Sequence, residues 1–416
     1  MKFDTIVLGA GIIGAAIAVH LQRSGRAVAL LDRRESGLEA SYGNAGLIQN
    51  EAVYPYAFPS GLPNLLRIAG NRNIDVHYHP AAMPSIAPFL LSYWRNSRPA
   101  RYATIVRHHA TLIQHCTAQT RALLREANLG ALLRQGGWIK LLRTPRVLEG
   151  ELASSDLWRR EYGVQSTFLD AQALRTAEPY LAPTLIGGIL YADSDSVSDP
   201  GAVVQGYVRY FERLGGQFLN GDACTLEPVG TSWRVMASRK PIIGSSAVVA
   251  LGAWSGALAR GLGYELRMGI KRGYHMHYRP AGGAVLNRPV LDVEKGYALA
   301  PMARGIRLTT GAEFARLGAP ATPVQLARAE PVARALFPCA SRVDEQPWMG
   351  SRPCSPDMLP VIGPAPRHEN LWFAFGHGHQ GLTLAAVTGR LLSEMMNGQQ
   401  PFIDPTPFRV DRPELR

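Results

Sequence analysis

One stretch near the start of the chain constrains the fold more than any other. Thr5-Ile6-Val7-Leu8 is a run of apolar and β-branched residues, followed at once by Gly9-Ala10-Gly11-Ile12-Ile13-Gly14 and then by Ala15-Ala16-Ile17-Ala18. A short, unbroken apolar run suits a parallel strand covered on both faces. Gly9 then supplies a tight turn, Gly11 lets a pyrophosphate approach bare backbone, and Gly14 lets the next helix pack close to the sheet. The helix start offers free N–H groups and partial positive charge to phosphates. The helix ends near Gly25, a second apolar run Ala27-Val28-Ala29-Leu30-Leu31 follows, and Asp32 stands 18 residues after Gly14. An acid at that spacing hydrogen-bonds a ribose 2′-hydroxyl. Strand, turn, helix, strand and acid, in that order, predict a dinucleotide-binding unit.

The next segment bears on which dinucleotide. Glu39-Ala40-Ser41-Tyr42-Gly43-Asn44-Ala45-Gly46-Leu47-Ile48 begins seven positions past Asp32, where a simple nicotinamide-binding domain would enter another strand–helix unit. Small residues there let a wide flat ring lie against backbone. Composition narrows the partners. Hydrophobic residues make up 46% of 416 and charged residues 18%, which describes a globular chain with a large core. The net charge of +12 contains no run of five Lys/Arg and no aromatic-interleaved basic patch, so nucleic acid is not expected, while peripheral contact with anionic lipid head groups stays open. Cys116, Cys224, Cys339 and Cys354 form no CxxC pair, so no cluster or zinc ribbon is expected and the thiols are read as reduced in a cytoplasm. No signal peptide and no membrane-spanning run is read.

Further along, Tyr54, Pro55, Tyr56, Phe58 and Pro59 read as a packed loop or a pocket wall. Residues 101–128 read as a long amphipathic helix whose His108, His109 and His115 are expected in solvent, with no carboxylate at metal-ligand spacing. Residues 137–142 and 187–191 read as strands and 168–178 as a short helix. Ser198 or Asp199 caps a helix with Pro200 at its first position. Ala247 to Ser255 is another buried strand closing on Gly252-Ala253-Trp254. Segments 268–278, 297–302 and 305–310 read as a second sheet. The helix over 322–337 should kink or split at Pro331.

The C-terminal part carries three more motifs: Trp348-Met349-Gly350-Ser351-Arg352-Pro353, Pro356-Asp357-Met358-Leu359-Pro360-Val361-Ile362-Gly363 and Gly376-His377-Gly378-His379-Gln380-Gly381-Leu382-Thr383. The last precedes a helix over 382–396 with small residues at Ala385, Ala386 and Gly389, whose glycine-flanked start leaves its N–H groups and partial positive charge open to a ligand. Together with the 41–47 loop, the 137–142 strand and the Gly252–Ser255 turn, this series resembles the FAD-dependent D-amino acid dehydrogenase and glycine oxidase family, the D-amino acid oxidase-like flavoproteins, over nearly the whole chain. Among these it is most like the bacterial D-amino acid dehydrogenases.

The resemblance implies an α/β fold: an FAD-binding Rossmann-like domain of the glutathione-reductase type, interleaved with a substrate domain built on a mixed β-sheet. Segments 1–75, 145–265 and 340–416 would form the first, and 76–144 and 266–339 the second. It implies non-covalent FAD at Gly9, Gly11, Ile12, Ile13, Gly14, Asp32, Arg33, Arg34, Ser41, Asn44, Ala45, Gly46, Leu47, Cys224, Gly252, Trp254, Gly378, His379, Gln380, Gly381, Leu382 and Thr383. No metal is expected. The implied activity is oxidative deamination at CH–NH2 or CH–NH donors, with a D-amino acid or an imino acid such as D-proline or hydroxy-D-proline as substrate. A hydride would pass from Cα to flavin N5, and electrons to a non-oxygen acceptor such as a quinone or the respiratory chain. Arg352 would fork onto the substrate carboxylate, as a planar, permanently charged group can. Tyr297 and Arg272 are the further pocket candidates. A glycine- or sarcosine-type oxidase, or a flavoprotein subunit of a larger assembly, are the alternatives. The expected location is cytoplasmic, with peripheral contact at the inner membrane left open.

Overall fold

The first strand sets the layering. In the computed structural model, which describes residues 1–59, 61–238 and 240–415, Lys2–Leu8 pairs in parallel with Val28–Asp32 on one side and Lys240–Val249 on the other. Gln217–Val229 continues the sheet beyond Val28–Asp32, and Leu371–Phe375 beyond Lys240–Val249, both in parallel. Ser232–Ala237 links the two long strands as an antiparallel excursion, and Val361–Pro364 closes the Leu371–Phe375 edge.

Side chains on the central strands alternate between two cores. Val7, Val28, Leu30 and Val248 enter one; Ile6, Leu8, Ala29, Leu31, Ala247 and Val249 enter the other. A strand buried on both faces must be apolar at every position, which explains the unbroken runs in the sequence. Helices Ile12–Arg23, Pro200–Arg213 and Gly381–Met396 cover the first face. Asp199 caps Pro200–Arg213, its carboxylate accepting from the Ala202 N–H at 3.0 Å. Close approach is built with glycine: a Cβ on Gly14 would fall 1.8 Å from Gly9 O, and one on Gly389 would fall 2.9 Å from Ala16 O.

The second sheet has eleven strands. Its path runs Val76–Tyr78, Ala312–Phe314, Gly269–Pro280, Gly305–Thr309, Tyr297–Met302, Val290–Asp292, Trp138–Leu142, Gly187–Tyr191 and Thr167–Asp170, and Cys339–Arg342 and Trp348–Cys354 also pair with Gly269–Pro280. Three of these strands lie wholly outside the segments expected for this sheet, and a fourth, Cys339–Arg342, straddles the boundary at 339/340. Thr167–Asp170 and Gly187–Tyr191 fall within 145–265, and Trp348–Cys354 within 340–416, yet all three hydrogen-bond into the second sheet. Residues 167–170 are also strand rather than the start of a helix, which runs only over Ala171–Ala177. Val324–Leu336 is one helix with Pro331 inside it.

Candidate active site

Residues from both sheets line one cavity of about 940 Å³. From the parallel sheet come Gly9, Gly11, Ile12, Ile13, Asp32 and Arg33. Gly9 needs glycine twice over: its φ is +105°, and a Cβ would lie 2.5 Å from Ala250 O. Asp32 reaches back to the turn, accepting from the Ala10 N–H at 2.7 Å and the Arg34 N–H at 3.2 Å. Ser41 accepts from the Ile12 N–H at 3.0 Å, tying the small-residue loop to the helix start. Asn44, Ala45 and Leu47 continue that wall, and the cavity is also lined by Cys224, on the strand Gln217–Val229, and by Gly252 and Trp254, on a short helical turn after Lys240–Val249. The Arg33 guanidinium lies 4.4 Å over the Trp254 ring. Gly378, His379, Gln380, Gly381 and Leu382 form the wall at the start of the C-terminal helix. Gln380 Oε1 is buried there with no hydrogen-bond partner among the described residues.

Four of the expected cofactor positions do not line the cavity. Gly14 serves helix–strand contact, and Gly46, at φ +78°, packs against Val197 O. Thr383 is buried behind the wall, donating to Leu47 O and accepting from the Gln49 N–H at 3.3 Å each. Arg34 points out to Glu39, 3.2 Å away.

The second sheet contributes the charged floor. Arg352 is enclosed by protein except where it opens to the cavity. Its Nη1 donates to Gly311 O at 3.0 Å, and among the described residues no carboxylate pairs with it. Gly273 makes room for the guanidinium, since a Cβ there would sit 2.1 Å from Nη2. Tyr297 also lines the cavity, and burial, then the Asp292 charge, raise its phenol above the usual value.

Arg272 does not line it. Neighbouring side chains on a strand point to opposite faces, so Lys271 and Gly273 face the cavity and Arg272 faces away. Its Nε donates to Glu313 Oε2 at 2.6 Å and its Nη1 to Ala319 O at 2.6 Å, with Tyr274 OH donating to the same carboxylate at 2.8 Å. His77, His79 and Glu313 gather three possible metal ligands here, and the Arg272 guanidinium already contacts two of them, 3.1 Å from His79 Nε2 and 2.6 Å from Glu313 Oε2.

Sequence reasoning passed over several lining residues. Lys271, Tyr93, and the Lys140–Glu151 pair at 2.8 Å were not singled out. Pro55, Tyr56, Phe58 and Pro59 do form a wall, and Tyr56 meets the His379 ring at 4.9 Å. His109, expected in solvent, is buried with Nδ1 3.3 Å from Val53 O, and lies on the cavity lining. Burial, then Arg352 and Lys271, bring His379 down to about 3, so it is neutral near pH 7.

The family model for FAD dependent oxidoreductases matches residues 4–395. The chain belongs to this family. As an FAD-dependent oxidoreductase it is 31% identical over 425 residues to a D-amino-acid oxidase of Bradyrhizobium diazoefficiens, covering 98% of each chain. It is 30% identical over 419 residues to a D-amino acid dehydrogenase of Chromohalobacter salexigens, covering 98% of this chain and 99% of that one. Its fold is also that of the glycine oxidase from Geobacillus kaustophilus, with TM-score 0.71, 22% identity and 99% coverage of both chains. The cofactor of this oxidoreductase is FAD, and among the described residues no helix is long and apolar enough to cross a membrane.

Proposed function

We propose that this enzyme oxidises the Cα–N bond of an amino acid, in the D series, with the substrate carboxylate seated on Arg352. The observation that carries the reading is that guanidinium: enclosed, open to the cavity, hydrogen-bonded to one backbone oxygen and unpaired with any carboxylate among the described residues. An arginine presents five donors, and a ligand carboxylate is the group that fits those left over. The names of relatives at 30–31% identity support a D-amino acid as substrate.

The lining fits the cofactor. Gly9 and Gly11 leave backbone exposed where a pyrophosphate would pass, and Asp32 stands at the end of its strand for a ribose hydroxyl. The unpartnered Gln380 Oε1 offers an acceptor to a ring N–H. Ile12, Ile13, Arg33, Ser41, Asn44, Ala45, Leu47, Cys224, Gly252, Trp254 and Gly378 to Leu382 complete the cradle, with the N-terminus of Gly381–Met396 favouring negative charge on the ring. Bound there, FAD supplies a two-electron acceptor for the Cα–H bond. The protein's part is placement. Arg352 fixes the carboxylate and with it the direction of Cα–H, neutral His379 adds no competing charge, and the Tyr56–Pro59 segment lines one side of the cavity.

For the oxidative half, relatives named as dehydrogenases support a non-oxygen acceptor such as a quinone. Peripheral contact with anionic lipid belongs to the same reading: Leu62–Ala69 exposes Leu62, Leu65 and Leu66, and its Leu65 and Ile68 border the cavity. The relative named as an oxidase favours direct reaction with oxygen as the second reading. Anaerobic mixing with a panel of D- and L-amino and imino acids, followed by a quinone analogue or oxygen, tests both halves. Flavin bleaching by D-amino acids and reoxidation at least about tenfold faster by the quinone are expected. Bleaching by no amino acid would overturn the proposal, and stoichiometric peroxide at comparable rate would select the oxidase reading.

A further inference from the structure

The cavity floor carries one more cation than a single carboxylate explains. Lys271 and Arg352 are direct cross-strand partners on antiparallel strands, so their side chains share a face, and both line the cavity. Like charges directly opposite one another are destabilising, and more so away from water. The other cations on this cavity are neutralised or displaced toward an acid: Lys140 meets Glu151 at 2.8 Å, and Arg33 meets Glu39 at 3.2 Å. Lys271 has no such partner. Its ammonium sits 4.1 Å from the Tyr93 ring centroid and 5.8 Å from that of Phe314, the Tyr93 side chain also hydrogen-bonds it, and the ionisable groups around it are Tyr93, Cys354, Arg352 and His379, none of them an acid of the carboxylate kind. Among the described residues no carboxylate reaches either member of the pair.

We infer that the preferred substrate carries a second anionic group, placed on Lys271 when the α-carboxylate is on Arg352: an acidic amino acid of the aspartate or glutamate kind, or an amino acid bearing a carboxymethyl group on nitrogen. The inference rests on the proposed anchoring role of Arg352. The two cations suit the two tasks. The planar fork of Arg352 fixes the α-carboxylate and hence Cα. The ammonium of Lys271 is a point charge on a flexible stem, tolerant of where a longer substrate brings its second carboxylate. A dianion would relieve the repulsion between them and supply the counter-charge the pocket lacks.

The test uses the purified flavoprotein, with both enantiomers of aspartate, glutamate, asparagine, glutamine and alanine, and with succinate and butyrate as unreactive ligands read by perturbation of the flavin spectrum. In the parent protein, kcat/KM for the acid should exceed that for its amide by about a hundredfold, and succinate should bind at least about tenfold tighter than butyrate. Lys271→Met should collapse the acid-to-amide ratio toward one, and Lys271→Arg should retain part of it. Equal affinity for succinate and butyrate, or amides preferred by the parent protein, overturns the inference with no variant needed. So does a Lys271→Met protein in which acid and amide fall by the same factor, because Lys271 would then serve the cofactor or the fold. Arg352→Ala distinguishes failure of the underlying reading: if it leaves kcat/KM unchanged for acid and amide alike, the carboxylate anchor itself is misplaced.

Discussion

Replacing Arg352 with alanine separates an anchor from a structural residue, because the two roles imply opposite effects on folding. Among the described residues, the side chain makes one hydrogen bond, to Gly311 O at 3.0 Å. Such a bond from a charged group is worth about 1.5–3 kcal/mol net, and removing the guanidinium offsets this by relieving the comparable cost of holding an unpaired charge partly away from water. The unfolding free energy of Arg352→Ala should therefore stay within about 1 kcal/mol of the parent, in either direction. With substrate bound the arithmetic changes. The variant leaves a carboxylate enclosed without its partner, and breaking such a pair costs about 3–5 kcal/mol. At about 1.4 kcal/mol per decade, kcat/KM should fall on the order of a hundred- to several-thousand-fold. Stopped-flow flavin reduction under anaerobic conditions measures this, with the thermal midpoint and FAD content measured on the same preparation. Arg352→Lys should recover part of the loss, and amino acid amides lacking a free α-carboxylate should lose far less. Near-parental kcat/KM, or a loss of FAD and of the thermal transition together, would refute the reasoning and make Arg352 structural.

Four further outcomes are expected. Gly273→Ala places a Cβ where the guanidinium lies, 2.1 Å from Arg352 Nη2, so kcat/KM should fall about tenfold or more as the fork is pushed aside; an unchanged value in steady-state assays would show that Arg352 has room to spare. Asp32→Ala should weaken FAD retention by about 1–3 kcal/mol, read by fluorescence titration of the apoprotein, and retention equal to the parent would remove Asp32 from the cradle. Glu313→Ala leaves Arg272, 1% exposed, without its counter-charge and should cost about 3–5 kcal/mol of stability, while the turnover of the folded enzyme is kept; a fall in kcat at constant thermal midpoint would return Arg272 to the active site. Burial brings His20, His377 and His379 to about 3 and His109 and His277 to about 4, from an ordinary 6.5. The unfolded chain then binds more protons than the native one below pH 6.5, so stability is full above that pH and declines as the pH falls toward 4. Urea midpoints independent of pH between 7.5 and 4.5 would contradict this.

What was legible in the sequence was local. The Gly9–Gly14 turn, Asp32, the Asp199–Pro200 helix start and the glycines before Gly381–Met396 each combine residues within a few positions whose chemistry admits few conformations. What was not legible was partnership. Nothing in Gly187–Tyr191 or Trp348–Cys354 states which sheet it joins, because any extended strand can pair with any edge. Facing was equally hidden in Gly269–Pro280, where both sides of the strand are largely buried and the alternation of polar with apolar residues that would mark one side is lost. Arg272 has the chemistry of a carboxylate anchor, but Lys271, one position away, faces the cavity. His109 was readable in principle: Ile105, His109, Leu112, Ile113 and Cys116 follow the buried stripe of their helix at the spacing an amphipathic helix requires.

The Gly269–Pro280 strand also shows how this protein treats a positive charge that serves the fold, and so why the charges on its other face mean something different. On the face away from the cavity, Arg272 is given a full set of acceptors: the Glu313 carboxylate at 2.6 Å, Ala319 O at 2.6 Å and Pro320 O at 3.1 Å. Tyr274 OH donates to the same Glu313 oxygen at 2.8 Å. On the cavity face, one residue along and one strand across, Arg352 has a single backbone acceptor and Lys271 rests against aromatic rings. If both faces were shaped by stability alone, the second would carry an acid too, or no charge. Two adjacent cations that meet no carboxylate among the described residues cost stability, and on the proposed reading a ligand that supplies negative charge recovers it. We therefore propose that the substrate's acidic end takes the place of this counter-ion, and that Lys271, the cross-strand partner of Arg352, asks for a second negative charge on it.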